Sequence, residues 1–187
     1  NVKAGKFLLK KDMTSFDIVR SLRLNVPVQV AFNNQETLDK LFQRLATQLE
    51  PDTLALNEAF TNEAFFQENG LTKETALTLF IPNTYEFYWN TSASKIASKM
   101  AKEHKKFWTN ERLEKAKALN MTPAQVYTLA SIVHKETVKA DERPRVAGAY
   151  LNRINQDMPL QADPTVIYAI KEKSGDFDQV IKRVGGS

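Results

Sequence analysis

The residues best placed to do chemistry close one stretch, TPAQVYTLASIVHKET, residues 122–137. Thr122, Pro123 and Gln125 together make a helix start: a hydroxyl cap, a proline at the first helical position and a capping-box partner three residues on. At 100° per residue, Val126, Leu129, Ile132 and Val133 form one apolar stripe, and Glu136 falls within it. A carboxyl on a buried face near the negative end of a helix dipole sits where the charged form is disfavoured. A general acid working near neutrality uses such a place. The same spacing also allows a helix that ends here and turns Glu136 out to water, and spacing alone leaves both readings open.

Other chemistries are poorly supplied. His104 and His134 stand thirty residues apart with no HExxH frame, and cysteine is absent, so neither a metal site nor thiol catalysis is expected. Ser131 and His134 share one helix, but no GxSxG elbow accompanies them. The six glycines form no phosphate-binding frame. Carboxylates remain: Glu136, Asp141 and Asp163. Asp141 precedes ERPRVAGAYLNRI and Asp163 precedes Pro164-Thr165, so each also reads as a helix N-cap.

The elements that must position these groups follow from periodicity. Residues 1–32 read as strand, helix, strand, with FLLKKDM extended, a cap at Thr14 or Ser15, FDIVRSLRL helical and VPVQVAF alternating as a strand. An amphipathic helix over residues 35–49 completes a βαβα arrangement. LNEAFTNEAFFQEN reads as a further helix stopped by Gly70, and TALTLFIPNTYEFYWNTS as two extended segments around Pro82-Asn83. SASKIASKMAKEHKKFW and ERLEKAKAL are helices, and the residues to Ser174 are helical with breaks at 139–144 and 157–164. This predicts an α+β protein: a small lobe over residues 1–88 and a mostly helical lobe over 89–187, with a seam near 80–95 and no linker to keep them from packing together.

Composition excludes little else. The 187 residues carry 42% apolar and 26% charged side chains and a net charge of +4, ordinary for a globular protein. Eight basic residues against three acidic lie in residues 95–117, as on a solvated helix face. No nucleic-acid signature accompanies them. No apolar run reaches membrane-spanning length.

ASIVHKET, then ERPRVAGAYLNRI, then MPLQADPTVIYAI closely resemble the YceG-like endolytic murein transglycosylases, in the same order and at similar separations. LFIPNTYEFYWNTS is similar to that family's LFPDTYEF segment, and VKAGKFLLKKDMTSFDIVRSL looks like its LysM-like region. The resemblance implies an enzyme that cuts peptidoglycan strands internally at the MurNAc-β-1,4-GlcNAc bond and leaves a 1,6-anhydro-MurNAc end. Glu136 matches the catalytic Glu, acting as acid and then as base, and Glu136-Thr137 is similar to the Glu-Ser pair of other lytic transglycosylases. Gln161 and Asp163 are then expected as polar cleft residues, Asn152 as a sugar ligand or a support for the acid, and Tyr168 as a stacking or core aromatic. Tyr85 and Phe87 are expected to pack between the lobes. The resemblance also implies a single-pass anchor in the cytoplasmic membrane preceding this chain, a catalytic part facing the wall, penicillin-binding synthases as partners and no cofactor.

Two departures stand out. Many relatives read EKET where this chain has His134-Lys135-Glu136-Thr137, so a Glu is replaced by His at 134; that position points away from the apolar stripe. Relatives also continue with YNTY-type and GLPPGPI-type segments expected to line the cleft, whereas this chain closes on Gly-Gly-Ser, which reads as a linker or tag remnant. These departures motivate the competing expectation, a peptidoglycan-binding or scaffolding protein without catalysis.

Overall fold

A computed structural model describes residues 4–179, and the chain divides into two compact units, Asn1–Thr109 and Asn110–Ser187. The first holds α1 (Ser15–Ser21), β1 (Pro27–Phe32), α2 (Leu38–Ala46), α3 (Thr53–Thr61), α4 (Glu63–Asn69), β2 (Asn83–Tyr88) and α5 (Ala93–Phe107). The second holds α6 (Asn110–Ala118), α7 (Pro123–Glu136), α8 (Arg143–Asn155) and α9 (Asp163–Ser174). The class is α+β and mostly helical.

In the first unit, period-2 alternation in PVQVAF sends Val28, Val30 and Phe32 to one face of β1. β2 pairs antiparallel with it, setting Val28 opposite Phe87 and Val30 opposite Tyr85, so both inward rows meet the same core. Leu41, Phe42 and Leu45 of α2, Leu56 and Phe60 of α3, and Ile96, Ala97, Met100 and Ala101 of α5 fill it. Phe60 lies at its centre, with ring centroids 4.8 Å from Phe80 and 5.6 Å from Phe42. On the outer side of β1, the Gln48 amide accepts from the Ala31 N–H at 3.0 Å and donates to the Ala31 carbonyl at 3.2 Å.

Several expectations are corrected here. FLLKKDM forms no strand: its neighbouring Leu8 and Leu9 both lie exposed, since adjacent apolar residues cannot share one face of a pleat. The βαβα arrangement over residues 1–49 is therefore absent, and β1 finds its partner beyond three helices. LNEAFTNEAFFQEN splits at Asn62, whose side chain caps α4 by accepting from the Phe65 N–H at 2.9 Å. The first of the two extended segments is instead a 3₁₀ turn, Ala76–Leu79, drawn in by the Thr78 hydroxyl bonding the Thr75 carbonyl. The boundary at 88/89 also falls inside the first unit. Helix α5 gives its apolar face to that unit's core, which moves the division to 109/110. Tyr85 and Phe87 do pack, but within this core.

The second unit has a smaller core. Leu129 and Val133 of α7, Tyr150 of α8 and Ala162 are its buried residues, with Ile132, Val146, Ala147, Leu151 and Leu160 packed against them. Gly175, at φ 71°, ends α9 in the left-handed conformation that a side chain disfavours.

Two outcomes follow for the first unit. Phe60→Ala removes a ring that is 1% exposed and should destabilise the unit by about 3–5 kcal/mol in denaturant titration; a loss below about 1 kcal/mol contradicts this account of the core. The second concerns His104, whose Nε2 accepts the Trp108 indole N–H at 3.1 Å. Burial first, and then Lys105, hold His104 below its ordinary 6.5. As pH falls the unfolded chain takes up that proton before the folded one does, so this contribution is present above 6.5 and lost as pH drops through and below it. The unfolding midpoint should therefore fall over that window in the wild type and fall less in His104→Gln.

Candidate active site

Local sequence builds α7 as expected. Thr122 accepts from the Gln125 N–H at 3.2 Å, the Gln125 side chain accepts from the Thr122 N–H at 2.8 Å, and Pro123 begins the helix. The apolar stripe buries Leu129 and Val133 and half-buries Val126 and Ile132. Glu136 is the last helical residue, and Thr137 leaves in an extended conformation. The helix ends at Glu136, yet the side chain does not swing free into water: it stays half-buried, and its Oε2 is enclosed without a hydrogen-bond partner.

The group that meets Glu136 is Tyr150, which the sequence reading did not single out. Its ring is 8% exposed among Leu129, Val133 and Ala162, and its hydroxyl lies near enough to the Glu136 carboxyl for that charge to act on it. Burial first, then the neighbouring Glu136 carboxylate, push the Tyr150 hydroxyl above its ordinary 10.0. Arg153 pulls the other way and Asp163 adds to the rise, so both charges lie close enough to act on this hydroxyl.

Arg153 also shapes the connection between α8 and α9. Its Nη1 donates to the Gln161 side-chain oxygen at 2.8 Å and to the Pro159 carbonyl at 3.0 Å. Asp157 at φ 51° and Gln161 at φ 52° bracket this turn in the left-handed region, which costs a residue with a side chain free energy that its surroundings must offset. The fold thus brings together Glu136, Tyr150, Arg153, Gln161 and Asp163.

Asp163 proves to be the first residue of α9, and Ala162 is the N-cap. Ala162 is 1% exposed and anchors the start of the helix from the core, while its carbonyl receives the Thr165 N–H and hydroxyl. The Asp163 carboxylate keeps a favourable place in the first helical turn. Asp141 is not the cap of α8 either; that position is Glu142, whose carboxylate turns back instead to Thr137 and Lys139. Thr137 Oγ1 donates to Glu142 at 2.7 Å and accepts from the Lys139 N–H at 3.1 Å, so its hydroxyl fixes the turn after Glu136.

Two expected site residues lie apart. Asn152 is exposed and, two positions beyond Tyr150, projects about 200° around α8 from it. Tyr168 is 44% exposed, with its ring edge-on to Phe177 at 5.5 Å. His134 is exposed. The signal for Tyr150 was its place in the apolar stripe of AGAYLNRI, a pattern that reads as core; Arg153, one turn further on, reads as an ordinary surface cation. One half-buried carboxyl near a phenol, with a cation and a second carboxylate close by, has the parts for proton transfer.

Comparison with known proteins places this arrangement among relatives. A family model described as the YceG-like family matches residues 1–184. An endolytic murein transglycosylase of Streptococcus pneumoniae D39 is 27% identical over 201 residues, covering 90% of this chain and 36% of its own length. One from Bacillus subtilis 168 is 31% identical over 120 residues, covering 64% of this chain and 31% of its own length. This chain thus spans about a third of those relatives. The crystal structure of a putative YceG-like protein from Listeria monocytogenes superposes with a TM-score of 0.71 at 24% identity, covering 97% of this chain and 64% of that one, and shares its fold.

The turn after Glu136 gives a direct check. The Thr137 hydroxyl first, and then Lys139, hold the Glu142 carboxyl below its ordinary 4.5. In Thr137→Val the Glu142 titration, followed by NMR, should move up toward 4.5; an unmoved titration removes Thr137 from this role.

Proposed function

This chain belongs to the YceG-like family, and from that we propose that it is the catalytic part of a lytic transglycosylase that cuts peptidoglycan glycan strands internally. The observation that carries the reading is Glu136 itself: a carboxyl half-buried at the end of α7, with Oε2 enclosed and left unpartnered. The names of the relatives supply the substrate class, murein.

The reaction needs one carboxyl in two states. Protonated Glu136 gives its proton to the oxygen bridging MurNAc and GlcNAc as the bond to the MurNAc anomeric carbon breaks, and that bond's electron pair leaves with the oxygen. The 6-hydroxyl oxygen of the same MurNAc then bonds to the anomeric carbon, and its proton passes to the Glu136 carboxylate. The products are a free GlcNAc 4-hydroxyl and a 1,6-anhydro-MurNAc end, and Glu136 is again protonated. No nucleophilic second carboxylate is required, in contrast to retaining hydrolases. Gln161 and Asp163, beside Tyr150, are the proposed polar contacts to the strand. Asn152 and Tyr168 stand away from this cluster and can serve only more distant sugars.

We place the reaction on the wall side of the cytoplasmic membrane, beside penicillin-binding synthases that extend the same strands. Among the described residues no helix is long and apolar enough to cross a membrane.

The test is mass spectrometry of purified peptidoglycan digested by the full-length protein and by Glu136→Gln. Internal fragments ending in anhydro-MurNAc should appear with the wild type and fall by about 10²–10⁴-fold in the variant. Reducing ends in their place make the enzyme a hydrolase. No fragments from either, with strand binding equal in both, make it a scaffold.

A further inference from the structure

We propose that Glu142 is a positioning residue for Glu136: from the start of α8 its carboxylate ties down the first residue after α7 and keeps the last helical turn, which carries Glu136, from opening. This rests on the catalytic reading of Glu136. A helix frays from its ends, where backbone groups lack the partners that interior turns have. Glu136 is the last helical residue of α7, and Thr137 is already extended. The Thr137 N–H closes that turn by donating to the Val133 carbonyl at 3.2 Å, the long end of the range for such a bond. A general acid there loses its place whenever the turn opens.

Glu142 meets this weakness. Its Oε2 accepts from the Thr137 hydroxyl at 2.7 Å, and its Oε1 lies 3.2 Å from the Lys139 ammonium. The Thr137 hydroxyl in turn accepts from the Lys139 N–H at 3.1 Å, so one carboxylate and one hydroxyl close a ring over residues 137–142. The anchor itself is firm. The Glu142 carbonyl receives the Arg145 and Val146 N–H groups, and Val146, Ala147 and Tyr150 of α8 pack with Leu129 and Val133 of α7. Glu142 holds the cap position of α8 yet makes no side-chain cap bond there. Its carboxylate turns instead to the end of the preceding helix, where it accepts a charge-assisted bond. Residues 138–141 are all exposed, Val138 at 90%, so this connection owes its shape to polar bonds and not to burial. Such preorganisation places the cost of ordering Glu136 in folding and not in the reaction.

The experiment uses the full-length protein with Glu136→Gln, Glu142→Ala and Glu142→Gln, the last of which keeps an oxygen within reach of the Thr137 hydroxyl. Turnover and KM on isolated glycan strands, melting temperature, and hydrogen exchange of the Leu129, Val133 and Thr137 amides are measured in each. The expected result for Glu142→Ala is faster exchange at Thr137 alone, an unchanged KM, and turnover lowered about 3- to 10-fold, the rate equivalent of one net hydrogen bond. Glu142→Gln should recover part of both losses. Wild-type turnover in Glu142→Ala, with Glu136→Gln inactive, overturns this inference and leaves the catalytic reading standing. So does a fall in turnover with Thr137 exchange unmoved, or a glutamine variant no better than the alanine. A raised KM at constant turnover makes Glu142 a substrate contact and overturns it too. Faster exchange at Leu129 and Val133 as well, with a lower melting temperature, also overturns it, because the whole unit has then loosened. Absence of cleavage by the wild type overturns the catalytic reading itself, and this inference with it.

Discussion

The second unit turns on polar groups set at the edge of an apolar junction. Four buried residues make its core, and one of them, Tyr150, ends in a hydroxyl. A phenol in such a place needs a partner, since an unpaired buried hydroxyl costs more than its hydrogen bond returns. The Glu136 carboxyl is the nearby group whose charge acts on it, and Glu136 itself keeps one enclosed oxygen without a partner. The same ring fills the space between α7, α8 and the start of α9. One side chain therefore serves the packing of all three elements and brings a polar end near the carboxyl.

Around that junction the charges are balanced unevenly. Arg153 reaches across the α8–α9 turn to Gln161 and Pro159 while also acting on the Tyr150 hydroxyl. Asp163 enters from the opposite element, where the dipole of α9 favours an anion. The turn joining them runs through two left-handed residues, neither of them glycine, and the Arg153 bonds to Gln161 and Pro159 help to hold it. Gln161 is thus shaped as much by its backbone as by its side chain.

How much of this is readable from residues alone differs by kind of signal. The capping box at Thr122, the stripe from Val126 to Val133 and the place of Glu136 in it are local, and the fold follows them. The end of α9 at Gly175 is local too. Tyr150 is not, because an aromatic in an apolar stripe looks the same whether its far end meets another ring or a carboxyl. The left-handed backbone at Gln161 leaves no trace in composition, since only the surrounding contacts make it tolerable. Misreadings elsewhere have the same root. Helix α5 is plainly amphipathic, but amphipathicity does not say which core receives the apolar face, and FLLKKDM has strand-forming residues without the alternation that a strand's two faces demand.

The Gln48 side chain on β1 carries a consequence for how this protein behaves in company. A two-stranded sheet leaves each strand with one open edge, and an open edge is a template on which another chain can lay itself down. At Ala31 both backbone groups that face outward are already taken by a single amide from the same molecule. A neighbouring strand would have to displace Gln48 before it could add to β1. One glutamine thereby acts as a guard against polymerisation at this edge.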